Sequence, residues 1–335
     1  MEHNIKKKIA LVAGGAGFIG SHLCDRLIKD DYRVICLDNL YTGRIENIAH
    51  HFNDPNFEFI NQDVVEPIKI NNLSVIFNLA CPASPKQYQK DAIYTTKTSV
   101  LGTINMLDLA TINKCPILQA STSEVYGDPL VHPQPEKYCG NVNPIGIRAC
   151  YDEGKRCAES LCMDYYRQYG TQIKIVRIFN TYGPRMATDD GRVVSNIVNQ
   201  AIKGEDITIY GDGSQTRSFL YIDDLINAFA KMLLTPVQIT GPVNLGNPVE
   251  MTINGIARII KRLAHSNSRI VYWSLPQDDP QRRNPDISLA KRILDGWKPQ
   301  VHVEEGFTKV IHYFTSLQTC IADEQSKACQ GYVKC

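Results

Sequence analysis

The stretch from Lys8 to Gly20 limits the possible folds more than any other part of the chain. Lys8 to Ala13 (KIALVA) is a short apolar, β-branched run, the pattern of a strand buried on both faces of a parallel sheet. It enters Gly14-Gly15-Ala16-Gly17-Phe18-Ile19-Gly20, and an amphipathic segment follows from Ser21 to Asp30. Strand, glycine turn and helix in this order predict a dinucleotide-binding unit. Gly14 permits the tight turn, Gly17 lets backbone approach a pyrophosphate, and Gly20 lets helix and strand pack closely. The helix start then offers unpaired N–H groups to the phosphates. A second strand, Arg33 to Leu37, ends in Asp38, about twenty residues beyond Gly17, where a carboxylate accepts hydrogen bonds from the adenosine ribose. That carboxylate favours NAD over NADP, because a 2′-phosphate would meet a negative charge. Arg44 works against this preference.

The pattern then repeats. Phe57 to Ile60, Ser74 to Ala80, Pro116 to Ser121 and Lys174 to Ile178 read as strands, and Ala92 to Asn113 and the segment ending near Tyr169 read as helices. Alternation of this kind predicts an α/β fold, a doubly wound parallel Rossmann sheet, with ligands at the carboxyl ends of its strands. Asp63 and Val64 follow the third strand, where adenine would lie. Cys81-Pro82-Ala83-Ser84-Pro85 follows the fourth and reads as turn chemistry. Thr122-Ser123-Glu124 ends the fifth. After Asn180, Pro-, Gly- and Arg-bearing segments alternate with helical ones at Val193 to Ile202, Asp223 to Leu234 and Thr252 to Ala264. The expected organisation is a Rossmann domain over 1–179 and a smaller, less regular C-terminal substrate lobe over 180–314. Some segments of that lobe return to the first domain, and a frayed polar tail covers 315–335.

Tyr151-Asp152-Glu153-Gly154-Lys155 carries a Tyr-x-x-x-Lys spacing that puts phenol and ammonium on one helix face. A nearby cation favours the phenolate, which takes a proton from a hydroxyl whose carbon is being oxidised. The spacing is common by itself, and its weight comes from its place in the sheet order. The net charge of +1 attracts neither nucleic acid nor an anionic membrane. No apolar run reaches the roughly 18 to 20 residues of a membrane span, and the N-terminal run reads as a first strand, not a signal peptide. Of the eleven cysteines, Cys24, Cys36, Cys81 and Cys162 sit in apolar stretches, as in a reducing cytoplasm. Cys320, Cys329 and Cys335 lack C-x-x-C spacing, and His22, His132 and His312 are scattered, so no metal is expected.

GGAGFIG, the Ser121-Thr122-Ser123-Glu124 run and YDEGK resemble the extended short-chain dehydrogenase/reductase family, over Lys8 to Phe314. Longer stretches resemble its branch acting on UDP-glucuronate. These are ACPASP (80–85), ASTSEVYGDP (120–129), NPIGIRACYDEGKR (143–156), RIFNTYGPRM (177–186), DGRVVSN (190–196), YGDGSQTRSF (210–219) and DDPQRRNPDI (278–287). The resemblance implies decarboxylation of UDP-glucuronate to UDP-xylose. Tightly bound NAD would oxidise and then re-reduce sugar carbon C4, and the 4-keto acid between the two steps would lose carbon dioxide.

The resemblance also implies roles. Thr122 would bond the substrate hydroxyl, Tyr151 would be the base and Lys155 would tune it. Glu124, the one carboxyl left in its run, is expected from its chemistry to relay a proton to C5 directly or through a water, or instead to hold loop backbone. NAD would lie against Gly14, Gly17, Phe18, Ile19, Gly20, Asp38, Asn39, Gly43, Asp63, Val64, Ala80, Tyr151 and Lys155. The UDP-sugar would lie against Pro82, Ser84, Asn180, Arg192, Tyr210, Gln215, Arg217 and Arg283. Arg217 and Arg283 would hold the diphosphate and uridine ribose, a task suited to a planar guanidinium fork.

Two positions depart from the pattern: Ala13 stands where Thr is common, and Ser99 where Asn is. Ser123 separates reaction types. Related 4,6-dehydratases carry Asp beside the Glu, and two carboxyls expel a hydroxyl as water; here one is missing. The alternatives are a 4,6-dehydratase or 4-epimerase on a UDP- or dTDP-hexose, and a non-catalytic NAD-binding sensor, which would not need Thr122, Tyr151 and Lys155. Relatives dimerise through two helices, matching about Thr95 to Ile112 and Asp152 to Tyr169. Leu101, Met106, Leu161, Met163 and Tyr166 are the candidate contacts of a homodimer.

Overall fold

The computed structural model describes residues 7–274 and 282–331; for 282 and 320–331 the description is of backbone alone. In chain order the first half gives β1 (Ile9–Ala13), α1 (Phe18–Lys29), β2 (Arg33–Asp38), β3 (Phe57–Asn61), β4 (Val75–Asn78), α2 (Pro85–Lys90), α3 (Ala92–Asn113), β5 (Ile117–Thr122), α4 (Ala149–Tyr169) and β6 (Ile173–Ile178). The second half gives β7 (Thr181–Tyr182), α5 (Val193–Lys203), β8 (Ile207–Tyr210), β9 (Thr216–Ser218), β10 (Leu220–Tyr221), α6 (Ile222–Leu233), β11 (Val243–Leu245), β12 (Glu250–Thr252), α7 (Ile253–Leu263), β13 (Ile270–Trp273), β14 (Arg282–Arg283), α8 (Ser288–Ile293) and α9 (Val303–Gly331).

The apolar runs pair into a seven-stranded sheet of order β11-β6-β5-β4-β1-β2-β3, and every pairing is parallel. Strand periodicity decides which residue feeds which layer. Ala10 and Val12 of β1 join an apolar cluster with Leu23 and Leu27 of α1 and Phe229 of α6. Leu11 and Ala13 join another with Met106 and Leu107 of α3 and Cys162 of α4. Each fully buried Leu contributes about 1.5–3 kcal/mol, so both helix layers are anchored to the sheet. The first cluster continues into the second half of the chain, through Ile256 of α7 and Phe307 and Phe314 of α9. Small sheets there pair β7 with β10, β9 with β12 and β14, and β8 with β13.

Three differences from the sequence reading have physical causes. Six strands were expected in the sheet; β11 is a seventh, and three residues are too few to show a period. Helix α1 starts at Phe18, not Ser21, because Gly17 already takes the extended capping conformation. The segment after Thr315, read as a frayed tail because it is polar, continues α9 to Gly331. Among the described residues no helix is long and apolar enough to cross a membrane.

Candidate active site

The carboxyl ends of β1, β2, β4, β5 and β6 open onto a cavity of 600 Å³, within the usual range for small-molecule sites. One end is built from backbone. Gly14 has φ +78°, and a Cβ there would stand 2.9 Å from Ala80 N. A Cβ at Gly20 would stand 2.1 Å from the Gly14 carbonyl oxygen. Either side chain would have to displace main chain, so the cradle stays open only as glycine. Asp38, at the end of β2, is buried; its Oδ2 accepts Ala16 N–H at 3.0 Å and its Oδ1 accepts Leu40 N–H at 2.8 Å. A carboxylate has about four acceptor positions, so both oxygens retain capacity for ribose hydroxyls. Burial raises the Asp38 pKa, against the pull of those N–H bonds. Asp63 accepts from Asn39 Nδ2 at 2.9 Å and from the Tyr94 hydroxyl at 2.6 Å. These residues fit a dinucleotide.

Of the expected cofactor residues, Gly43 alone does not line the cavity. It lies behind Asp38, where a Cβ would stand 2.6 Å from the carboxylate. Arg44, the cation that argued against NAD, spends its guanidinium on the Arg185 and Met186 carbonyls, at 3.1 and 3.2 Å.

Tyr151 sits in the first turn of α4, and the ring of Tyr88 from α2 stacks on it, centroids 4.9 Å apart and planes within 4°. Thr122, the last residue of β5, accepts Glu124 N–H at 3.2 Å. Lys155 Nζ donates to the Ala120 carbonyl at 3.0 Å and lies 5.9 Å from the Tyr151 ring centre. The sequence reading had Lys155 lowering the phenol's pKa. Among the protein's own groups it is raised instead: burial and the nearby Cys81 push it up, and the Thr122 hydroxyl works the other way. Ser99 packs against Gly154, whose Cβ would meet it at 2.9 Å, and its Oγ lies 3.2 Å from Cys81 Sγ.

The far end is built from charge. Glu124, on the 3-10 turn Ser123–Tyr126, accepts Arg148 Nη2 at 2.7 Å and is bonded by Arg283 Nη1. Burial alone would raise its pKa, but the two guanidinium groups outweigh burial and hold it at about 2. Glu124 has no proton to relay while both arginines hold it, and the partners of its carboxylate are side chains, not the loop backbone of the alternative expectation. Arg283 lines the cavity, pairs with Glu124 and donates to the Gly127 carbonyl at 3.1 Å. Asp152 is buried with Oδ1 unpartnered among the described residues; burial, then the Glu124 charge, pushes it up to about 7.

Pro82, Ser84, Asn180, Arg192, Tyr210, Gln215 and Arg217 also line the cavity. Arg192 pairs with Asp190 at 3.1 Å and donates to the Ala83 carbonyl at 3.1 Å. Gln215 Nε2 donates to the Tyr210 carbonyl at 2.6 Å, and Arg217 Nη1 to the Thr216 carbonyl at 2.9 Å. The Ser84 and Tyr88 hydroxyls are buried without partners among the described residues. Tyr88, Arg148 and Asp152 were missed from sequence, although Arg148 stands one helical turn before Tyr151 and Tyr88 just beyond Pro85. Residues 278–281 of the DDPQRRNPDI stretch, Cys335, and the side chains of Cys320 and Cys329 lie outside the described residues.

Residues 10–246 match the NAD dependent epimerase/dehydratase family. The chain is 54% identical over 308 residues to UDP-glucuronic acid decarboxylase 1 of Xenopus tropicalis, covering 92% of this chain and 72% of that one. It is 52% identical over 312 residues to UDP-glucuronic acid decarboxylase 4 of Arabidopsis thaliana, covering 92% and 70%. Among solved structures, UDP-glucuronic acid 4-epimerase from Bacillus cereus, in complex with UDP-glucuronic acid and NAD, superposes with a TM-score of 0.83. It is 27% identical, over 92% of this chain and 99% of that one.

Proposed function

This chain belongs to the NAD dependent epimerase/dehydratase family, and we infer that it is an NAD-dependent enzyme that decarboxylates UDP-glucuronate to UDP-xylose. The observation that carries the reading is its likeness, over 92% of its length, to relatives named for that activity. The cavity supports it chemically. Gly14, Gly17, Gly20 and Asp38 would hold NAD, which supplies the reversible oxidation of sugar carbon C4 when bound.

The remaining steps belong to the chain's own residues. Tyr151, whose pKa burial raises and the positive charge of the oxidised nicotinamide would lower, takes the proton of the C4 hydroxyl, with the Thr122 hydroxyl sharing the charge. The resulting ketone is β to the C6 carboxylate. The C5–C6 bond breaks, carbon dioxide leaves, and the electron pair delocalises onto the ketone oxygen, where Tyr151 and Thr122 donate to it. C5 then needs one proton, because the reaction replaces a carboxylate by hydrogen. Glu124 gains the ability to take up a proton from solvent and pass it to C5 when the sugar carboxylate enters. Two cations surround one buried carboxylate, and a second carboxylate draws Arg148 and Arg283 away from the first. Relieved of them, Glu124 feels mainly its burial, which raises its pKa. Return of the proton from Tyr151 as C4 is re-reduced completes UDP-xylose. Arg192, Arg217, Tyr210 and Gln215 hold the nucleotide diphosphate and base in this reading.

The test is the product formed from UDP-glucuronate with NAD present, followed by NMR. UDP-xylose and carbon dioxide are expected from the wild type. A uronate inverted at C4 with its carboxylate intact would overturn decarboxylation in favour of epimerisation.

The dimer reading rests on outward apolar residues of α3, where Ile93 is 72% exposed, Leu101 44% and Ile112 72%, and on Tyr169 of α4, 63% exposed. Met106, expected among the contacts, is fully buried and belongs to the core. A dimer mass in solution at micromolar concentration is expected. The reading of a cytoplasmic setting rests on free thiols at Cys24, Cys36, Cys115 and Cys162.

A further inference from the structure

On the outer side of the cofactor half, three metal-ligating side chains converge where the reaction does not use them. Asp25 lies on α1, and His50 and His51 on the 3-10 turn Ala49–His51. Both imidazole Nε2 atoms meet one carboxylate oxygen, Asp25 Oδ1, at 2.9 and 2.7 Å. One ligand atom from each of the three lies within 4.8 Å of the others. Successive residues of a 3-10 turn leave its axis about 120° apart, so the backbone alone would send the two rings to different places. Instead their centroids lie 4.0 Å apart. His51 is also set against Phe57, 5.2 Å away. Arg185 takes the other carboxylate oxygen at 2.8 Å. It fixes the orientation of the carboxylate and leaves Oδ1 to the imidazoles, as outer partners do around ligating carboxylates. His50 is 44% exposed, which leaves a route from solvent.

We propose that Asp25, His50 and His51 form a binding site for a divalent transition metal of the zinc type, with water in the remaining positions. Two imidazoles and one carboxylate suit zinc, cobalt or nickel, not the all-oxygen preference of magnesium or calcium. Around an ion at about 2.1 Å, neighbouring ligand atoms stand roughly 3.4 Å apart, so the His50 ring withdraws by about 0.5 Å and the His51 ring by about 0.7 Å. The Arg185 charge offsets that of Asp25, which makes this an exchangeable site and not one the fold depends on. The ion ties α1, which follows the glycine turn, to the segment beyond Asp38, so its effect falls on the stability of the cofactor half. No metal was expected from sequence, because Asp25 and the His50-His51 pair become neighbours only in the fold. The inference is independent of the sugar chemistry.

The experiment uses full-length protein treated with a chelator, titrated with Co²⁺ by visible absorption and with Zn²⁺ by calorimetry. One equivalent of Co²⁺ is expected to bind with the spectrum of nitrogen and oxygen ligands and no thiolate band. The His50→Gln/His51→Gln double variant is expected to bind about 100-fold more weakly while turning over UDP-glucuronate like the wild type, which shows that it is folded. Zn²⁺ is expected to raise the unfolding midpoint of the wild type only. No uptake by the wild type would overturn the proposal and leave two imidazole N–H donors on a carboxylate. A thiolate band, or equal affinity in the double variant, would overturn it too.

Discussion

At one end of the cavity the walls are main chain, held open by glycines that admit no Cβ and by a carboxylate already fixed by two N–H groups. At the other end the walls are arginines, and each of those nearest Glu124 is paired with it. The first end is finished before any ligand arrives. The second must exchange partners to accept an anion. Substitution at the backbone end therefore acts on binding and folding, and substitution at the charged end acts on turnover and on its pH dependence. Tyr151 stands at the border and tests whether the two ends separate.

Tyr151→Phe keeps the stacked ring and removes the oxygen. Loss of the acid–base group is expected to lower turnover of UDP-glucuronate by about 1,000-fold, with NAD content unchanged. Turnover near the wild-type rate would remove Tyr151 from the chemistry, and loss of NAD with it would show that the ends do not separate. Gly20→Ala attacks the backbone end, where the added carbon would overlap the Gly14 carbonyl oxygen at 2.1 Å. Overpacking of about 2 kcal/mol is expected to weaken NAD binding about thirtyfold, visible by calorimetry. Unchanged NAD affinity would mean that the cradle is softer than its contacts imply.

Glu124→Gln attacks the charged end. It removes the proposed donor of the C5 proton and leaves Arg148 and Arg283 without their anion. A fall in kcat of about 100-fold is expected, with KM unchanged or lower because both arginines are released for the sugar carboxylate. A rise in KM with kcat intact would make Glu124 a structural partner of the arginines and nothing more.

The same contrast explains what could be read from the sequence. The backbone end was legible because its requirement is a residue type: a turn at φ +78° under a neighbouring strand needs glycine, and GGAGFIG spells it. Tyr151 and Lys155 were legible because one helical turn joins them. The pairing of Glu124 with Arg283 was not, since 159 positions separate them and neither leaves a local mark of the other. The resemblance offered Arg283 to the diphosphate, and the fold also pairs it with Glu124 at the cavity wall. Tyr88 reaches Tyr151 only because α2 folds back over α4. Met106 shows the limit of helical periodicity, which cannot tell the face turned to the sheet from one turned to a partner.

Two carboxyls at the charged end provide the finest test, because the fold treats them in opposite ways. Glu124 is held at about 2 against an ordinary 4.5. Between those values the unfolded chain binds the extra proton, so stability rises with pH across that window and is lost as pH falls through it. Asp152 is pushed up to about 7 against an ordinary 3.8. There the folded chain holds the extra proton, so stability falls as pH rises from about 4 to about 7 and levels off above. The Asp152 limb amounts to at most a few kcal/mol, at about 1.4 kcal/mol per unit. Urea unfolding across this range is expected to show Asp152→Asn losing the falling limb while keeping the rising one, and Glu124→Gln the reverse. The Asp152 limb should also shrink in Glu124→Gln, because the Glu124 charge is the next largest influence on it after burial. An Asp152→Asn curve parallel to that of the wild type would mean that Asp152 finds a partner or water in solution, and that the charged end is better satisfied than its unpartnered oxygen implies.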